Sequence, residues 1–437
     1  MEASKVRGRD NFTALKVDTK KYLETTDDLW EEIRPSGKHP SRRSYHSASV
    51  WQNRMYIYGG QDLREGPQRG LWELQLAPTR WEEDKWVEIP TENHGPLCRH
   101  TSIVKDNDMY IFGGTDGINE YNTTLIFNFV DQTWSTIAPE HQSCPPPLDS
   151  HSAALYEDGE NSYMVIFGGY LSGDRSNETY TLNLKTDKWS HIPLSSPAPE
   201  PRANHACAIY GDYFYIFGGS NEEGEKLNDF WKLDLKSNIW QQVNAQGEAP
   251  TGRSGHSAVV FKEFMIIFGG VKDITRETND MYSYNFEGNN WICFQGEQQV
   301  KDPVTSEQLE EYKKSKASPT YPKSKNDCNS PTRSPTLPKY KKDCSSPTRS
   351  PARRQTINIS PQGDHSPIRR KTLYDGPATP IAGRIKGNAP HARDGHSAVM
   401  VNNIMIIFGG DRHQMPFNDV YAYTLLDHVV TTPLISN

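Results

Sequence analysis

No apolar run in the 437 residues approaches the roughly 18 that a membrane-spanning helix needs, so a soluble chain is expected. The opening Met1-Glu2-Ala3-Ser4-Lys5-Val6-Arg7 has no apolar stretch behind its charges, so a secretory signal is not expected. Cysteines are few: Cys98, Cys144, Cys207, Cys293, Cys328 and Cys344 lie far apart and form no CxxC pair. That argues against a disulfide framework or a zinc site and for reduced thiols in the cytosol or nucleus. Neither HExxH, GxSxG nor a Walker loop occurs, so the familiar hydrolase and nucleotide signatures are missing. Aromatics, in contrast, are plentiful. Ten Trp, 21 Tyr and 15 Phe argue against wholesale disorder, whereas 30 Pro predict that some part does not fold.

The chain repeats. An apolar or aromatic run ending in Gly-Gly occurs six times, at Gly60, Gly114, Gly169, Gly219, Gly270 and Gly410. Successive distances are 54, 55, 50, 51 and 140 residues, so the fifth is one period plus about 90 extra residues. About thirteen residues upstream of each pair stands a His followed by small and apolar residues: His46, His100, His151, His205, His256 and His396. Downstream comes an alternating segment, as in Asn228-Asp-Phe-Trp-Lys-Leu-Asp-Leu. A Trp then opens a final run at Trp86, Trp134, Trp189, Trp240 and Trp291. These are four short strands per unit, and four strands per repeat of about 50 residues describe a propeller blade. The glycines are expected where backbones approach closely, with the outer-strand Trp lying over them.

The Arg-x-x-His-Ser-Ala, Gly-Gly and Trp pattern resembles the kelch motif, over residues 30–296 and 390–426. The variant is similar to kelch proteins of the Rab-effector, host-cell-factor and leucine-zipper-like regulator type. The expected fold is all-β: a six-bladed kelch β-propeller with a long insert between blades 5 and 6. After Gly410 one strand, Asn418-Asp-Val-Tyr-Ala-Tyr-Thr-Leu, precedes Asn437 without a Trp-led strand, while Trp30-Glu-Glu-Ile33 precedes the first His unit without a blade. The N-terminal strand is therefore expected to complete blade 6 and close the ring. The divisions are an arm over 1–29, blades 1–5 with the closing strand over 30–296, the insert over 297–388, blade 6 over 389–426 and a tail over 427–437.

Residues 301–388 carry 18 Lys/Arg against 8 Asp/Glu, hence +10. The whole chain is −7, which leaves −17 on the rest. This Ser/Pro/Lys-rich stretch lacks apolar periodicity and is expected to be disordered. It repeats itself: Pro322-Lys-Ser-Lys-Asn-Asp-Cys-Asn-Ser-Pro-Thr-Arg-Ser-Pro335 returns from Pro338 to Pro351 with three changes. Ser330, Ser346, Ser350 and Ser366 each precede Pro-x-Arg, which resembles the site of proline-directed, cyclin-dependent kinases. Thr356 and Thr372 follow basic pairs, as basophilic kinase sites do. A spacer with incidental phosphorylation and a nucleic-acid or anionic-surface contact compete with this reading, and no aromatic stacking pattern supports the nucleic-acid one.

The six His tempt a metal reading. Spread one per blade around a ring, they cannot bring their nitrogens within about 2.1 Å of one ion, so no metal and no cofactor are expected. Asn122-Thr-Thr and Asn177-Glu-Thr fit the glycosylation pattern by chance in a cytosolic chain. Recognition is expected on one loop face, which kelch substrate adaptors use to read peptides. The position before each His holds Tyr45, Arg99, Ser150, Asn204, Gly255 and Gly395. The loops after Gly-Gly add Gln61, Asp62, Arg64, Asp116, Tyr170, Asn221, Glu222, Lys272, Asp273, Asp411, Arg412 and His413. Side chains that vary on a repeating frame suit a recognition surface. A non-enzymatic scaffold for protein partners, cytoplasmic or nuclear and phosphorylated on the insert, is the leading expectation. The alternatives are a substrate receptor of a ubiquitin ligase, for which room for a BTB domain or cullin box is lacking, and a kelch-fold enzyme like the secreted copper oxidases.

Overall fold

A computed structural model of the chain describes residues 29–76, 83–91, 94–139, 143–296, 383–387 and 389–425. In each repeat unit, short strands rich in aromatic and β-branched residues pair antiparallel in chain order. Blade 1 runs Ser47–Trp51, Arg54–Tyr58, Leu71–Gln75 and Lys85–Ile89. Blades 2, 3 and 4 start from Thr101–Lys105, Ser152–Glu157 and Ala206–Tyr210 and repeat this order. Blade 5 runs from Ser257–Phe261 to Asn290–Gln295 and gains Gln246–Gly247 as a parallel fifth strand.

Blade 6 is assembled from three parts of the chain. Ser397–Val401, Ile404–Phe408 and Val420–Thr424 are followed in the sheet by Trp30–Arg34, which pairs antiparallel with the third of them. The N-terminal strand thus closes the ring, as the missing Trp in the sixth unit implied. Beyond it lies a strand the sequence reading missed, Gly383–Lys386, paired with Trp30–Arg34 inside the stretch read as insert. Its Arg384 reaches Asp84, beside the outer strand of blade 1, at 2.9 Å. The rest of the insert, 297–382, the arm before residue 29 and the tail after 425 lie outside the described residues, and so do the four serines and the expected disorder.

The inner strands adjoin in ring order, blade 6 meeting blade 1. The second strand of each blade is buried on both faces, which is why it reads as a continuous apolar run: Met55 to Tyr58 and Met405 to Phe408 are all buried. The core is therefore six layers, each between neighbouring blades. One joins Ile57 and Trp86 of blade 1 to Ile406 and Phe408 of blade 6. A central cavity of about 340 Å³ is lined chiefly by small aliphatic residues of the inner strands, among them Ala48, Val50, Ile103, Val259 and Val399.

Candidate functional site: the mouth of the ring

The frame that carries the mouth is one seam repeated six times. The aromatic residue before each Gly-Gly is gripped by the next blade. Tyr58 meets His100 and Trp134 at 5.3 and 5.5 Å, and Phe112 meets His151 and Trp189 at 5.4 and 4.8 Å. Phe408 meets His46 and Trp86 of blade 1 at 5.2 and 5.1 Å, and Phe268 meets His396 and the closing Trp30 at 5.3 and 5.6 Å. The edge-on and tilted geometries are those aromatic rings favour.

The sequence reading placed the outer-strand Trp over the glycines; the atoms nearest a Cβ placed on them are those of His side chains and backbone carbonyls. A Cβ on Gly59 would stand 2.1 Å from the Leu97 carbonyl and 2.9 Å from the His100 ring, and one on Gly60 would stand 2.9 Å from the His46 Cβ. The pair is squeezed between its own blade's His and the next blade's, in left-handed backbone.

The His residues also explain the hydroxyl after them. His100 Nε2 bonds Ser47 Oγ of the preceding blade at 2.9 Å, and His151, His205, His396 and His46 bond Thr101, Ser152, Ser257 and Ser397 at 2.7, 2.7, 2.8 and 2.7 Å. Blade 4 carries Ala206 in that place, and His256 Nε2 is left buried without a partner among the described residues. Desolvation holds all six rings neutral. It lowers His100, His151 and His256 to about 3, and His46, His205 and His396 well below the ordinary value. Among the described residues no group of three or more His, Cys, Asp and Glu is arranged to hold a metal ion.

Directly above the His ring lie the positions read as the first half of the recognition face. They form a closed belt of backbone hydrogen bonds. The N–H of Tyr45 donates to the Gly395 carbonyl at 2.7 Å, Arg99 to Tyr45 at 2.8 Å, Ser150 to Arg99 at 2.8 Å and Asn204 to Ser150 at 2.9 Å. Gly255 donates to Asn204, and Gly395 to Gly255, both at 2.8 Å, which completes the circle. All six residues are left-handed, with φ between 53° and 66°. Four of them are not glycine and hold a conformation that costs about 1–2 kcal/mol each outside such a frame.

Beside each belt residue, a two-residue bridge ties the loop before the His to the residue after Gly-Gly, for example Ser44 to Gln61 and Asp394 to Asp411. The two kinds of loop chosen from sequence do share one face. There the Tyr45 hydroxyl donates to Asp394 Oδ2 at 2.7 Å, and the Arg99 guanidinium lies 5.5 Å from the Tyr45 ring centre and 4.0 Å from Asp149. Ser150 is buried and donates to Asp149 at 2.7 Å, and Asn204 is half-buried.

The outer loops divide. Arg64, Asp273 and His413 are exposed, His413 pairing with Glu277 at 3.2 Å, while Asp62 and Arg412 are half-buried. Tyr170 lies under Arg175 at 5.1 Å. Asp116 turns inward on its own loop, accepting from the Ile118 and Asn119 amides and the Tyr121 hydroxyl, and these bonds hold its carboxyl well below the usual range. Asn221 is buried and braces Glu225. Both are loop struts more than contact residues.

Sequence reasoning named Asp411 as a face residue but missed Asp394 and the acidic pairing of the two. Asp394 and Asp411 sit opposite each other on one bridge, with Glu277 acting on both. Burial pushes Asp394 up to about 7, against the lowering bond from Tyr45, and also raises Asp411. The signal available was position: Asp394 occupies the second place before its His, where Ser44, Cys98, Asp149, Ala203 and Ser254 stand in the other blades.

A six-bladed ring with Gly-Gly second strands, a Trp-led outer strand and a terminal strand exchange defines a kelch-type propeller. The chain belongs to the kelch-repeat family: the model of the KLHDC2/KLHL20/DRC7 Kelch-repeats domain matches residues 8–212 and 138–314, and that of the Kelch motif matches 392–429. It is 31% identical over 253 residues to acyl-CoA-binding domain-containing protein 4 of Arabidopsis thaliana, covering 55% of this chain and 36% of that one. With leucine-zipper-like transcriptional regulator 1 of Mus musculus it shares 28% over 270 residues, 59% of this chain and 31% of the other. With Kelch domain-containing protein 2 of Bos taurus it shares 27% over 291 residues, 58% and 70%. The chain thus spans about a third of the length of the first two of these relatives.

Proposed function

We propose that the chain is a non-enzymatic scaffold that binds a protein partner across the mouth of the ring. One observation carries this: differing side chains, among them Tyr45, Arg99 and Asn204, stand on a closed belt whose backbone geometry is the same in every blade, with Asp394 beside it. A fixed frame with a variable polar surface limits the ordering penalty on binding. The reading includes a reducing compartment, cytosol or nucleus, and the free thiols Cys98, Cys144, Cys207 and Cys293 are consistent with it. It also includes regulation by a proline-directed kinase acting on Ser330, Ser346, Ser350 and Ser366. Each phosphate adds roughly −1.5 to −2 charge, so four would bring the insert from about +10 to about +2 to +4.

The test compares the proteins captured by wild type, by Arg99→Glu and by an outer-surface control such as Lys185→Glu. Partners lost with Arg99→Glu alone, from a protein that melts normally, support the mouth; identical partner sets sink it. Recovery of a cullin among them would turn the scaffold into a ubiquitin-ligase receptor. The affinity of the captured partner for unmodified protein, for phosphorylated protein and for one with 301–378 replaced by a Gly/Ser linker tests the regulation. Equal values remove it.

A further inference from the structure

Arg43 is a buried cation that no carboxylate among the described residues pairs with, and other blades show what fills that place. In blade 4 the buried Arg202 donates to the Gly218 carbonyl at 3.0 Å and holds the Asp229 carboxylate with two bonds of 2.6 and 2.7 Å. The Trp231 indole N–H adds a third at 2.7 Å. In blades 5 and 6, Arg253 holds Asp280 and Arg393 holds Asp419, each at 2.6 Å.

Blade 1 keeps the donors. Arg43 donates from Nε to the Ser41 carbonyl at 3.0 Å, as Arg202 does to Glu200 at 3.1 Å, and from Nη1 to the Gly59 carbonyl at 2.7 Å. Trp72 follows two residues after the acceptor position, as Trp231 does. The acceptor position itself is Gly70. Its carbonyl takes the Gly59 N–H at 3.2 Å, as that of Asp229 takes the Gly218 N–H at 3.2 Å, so the two residues are equivalent. A Cβ on Gly70 would stand 3.2 Å from the Trp72 indole nitrogen.

What blade 1 lacks is therefore one –CH2–COO⁻ group. The Ser41 hydroxyl takes the Nη2 bond instead, at 3.0 Å. Among the described residues, Glu88 is the acidic group with a distinct pull on Arg43, and it is engaged by Lys38. Lys38 also lies 5.4 Å from the Trp72 ring and adds positive charge. Burial without a carboxylate pushes the guanidinium down to about 10. Ser41, Arg42 and Arg69, the chain neighbours of Arg43 and Gly70, are exposed.

We propose that Arg43 and Trp72, over Gly70, form a carboxylate-binding site that takes an acidic side chain or a small carboxylic acid where Asp229 fills blade 4. A planar guanidinium beside an indole N–H presents parallel donors that match a carboxylate. The site lies two residues before Tyr45 of the belt and does not depend on which partner the mouth takes.

The experiment titrates the full chain with sodium acetate against sodium chloride at equal ionic strength. It follows the Trp72 indole ¹⁵N–¹H resonance, assigned by Trp72→Phe, and the melting temperature. A second arm uses N-acetyl-aspartate methylamide. The expected result is a saturable shift of the Trp72 resonance and a carboxylate-specific rise in melting temperature that Trp72→Phe and Arg43→Leu abolish. A response to acetate alone assigns small acids, and a response that includes the blocked aspartate assigns acidic side chains. If Arg43→Leu does not fold, Trp72→Phe keeps the packing and decides alone through the melting temperature. Asp229→Gly should create a second response at Trp231. Wild type responding to neither probe, or responding equally after Trp72→Phe, overturns the proposal.

Discussion

Two levels of each blade behave differently. Along the seam, the grip of His and Trp on the preceding aromatic recurs six times with little change. Three residues before the His, the blades diverge. Blades 4, 5 and 6 carry Arg202, Arg253 and Arg393 with their aspartates; blades 2 and 3 carry the buried Leu97 and Leu148; blade 1 carries Arg43 alone. A buried ion pair and an apolar residue of similar volume are near equals in stability, whereas half a pair is strongly destabilising. The ring thus tolerates either full solution at the rim but requires one solution at the seam. Blade 1, with neither rim solution, is where a ligand has most to add.

The most damaging way to test the uniform seam is to remove one grip. Deleting residues 1–34 takes away Trp30, which is fully buried against Phe268 and Tyr423, and opens the third strand of blade 6. Loss of cooperative melting and aggregation are expected by calorimetry and size exclusion. A melt like the full-length one would refute the closing role.

Acid attacks all six seams together. The six His are neutral when folded and take up protons below about 6.5 when unfolded, so stability is full above that pH. It should fall on acidification by about 1.4 kcal/mol per histidine per pH unit, toward the folded values of about 3 for His100, His151 and His256. Asp394 opposes this. Its carboxyl is raised to about 7, so its contribution is favourable at low pH and is lost as pH climbs through 7. Urea unfolding between pH 8 and 5 should therefore show a steeper acid loss in Asp394→Asn than in wild type. Parallel curves would remove Asp394 from the account.

At the rim, Asp280→Ala leaves Arg253 buried and half-paired and should cost about 3–5 kcal/mol, while Arg253→Leu with Asp280→Ala should recover much of it. Equal costs for single and double variants would end the comparison drawn above. The smallest change sharpens the seam: Ala206→Ser offers His256 the hydroxyl that the other five His already have. A gain of roughly 0.5–1.5 kcal/mol in denaturant unfolding is expected.

Blade number, strand order and the exchanged terminal strand were legible because large aromatics and glycines mark them. Gly383–Lys386 was not, since one Ile among Gly, Arg and Lys carries no strand pattern and its partner lies some 350 residues away. The column before the His was read as variable and therefore as recognition. Two glycines and an asparagine in it, Gly255, Gly395 and Asn204, also signal left-handed backbone. Tyr45, Arg99 and Ser150 hid that signal, because their strain is relieved only by bonds between blades. The Asp394–Asp411 pair escaped because pairing across a bridge is not written in local spacing.

The belt also works as a hoop. Every donor points the same way around it, and it has neither a first nor a last link, so no single blade can widen the opening without breaking a bond at each side. An incoming chain thus meets a rigid aperture whose belt amides and carbonyls are already spent on one another. Sheet extension, which needs idle main-chain groups, has no foothold at that level. Selectivity at the opening must be exercised by what projects from the hoop, so exchanging a few projecting side chains would redirect the molecule without retuning its frame.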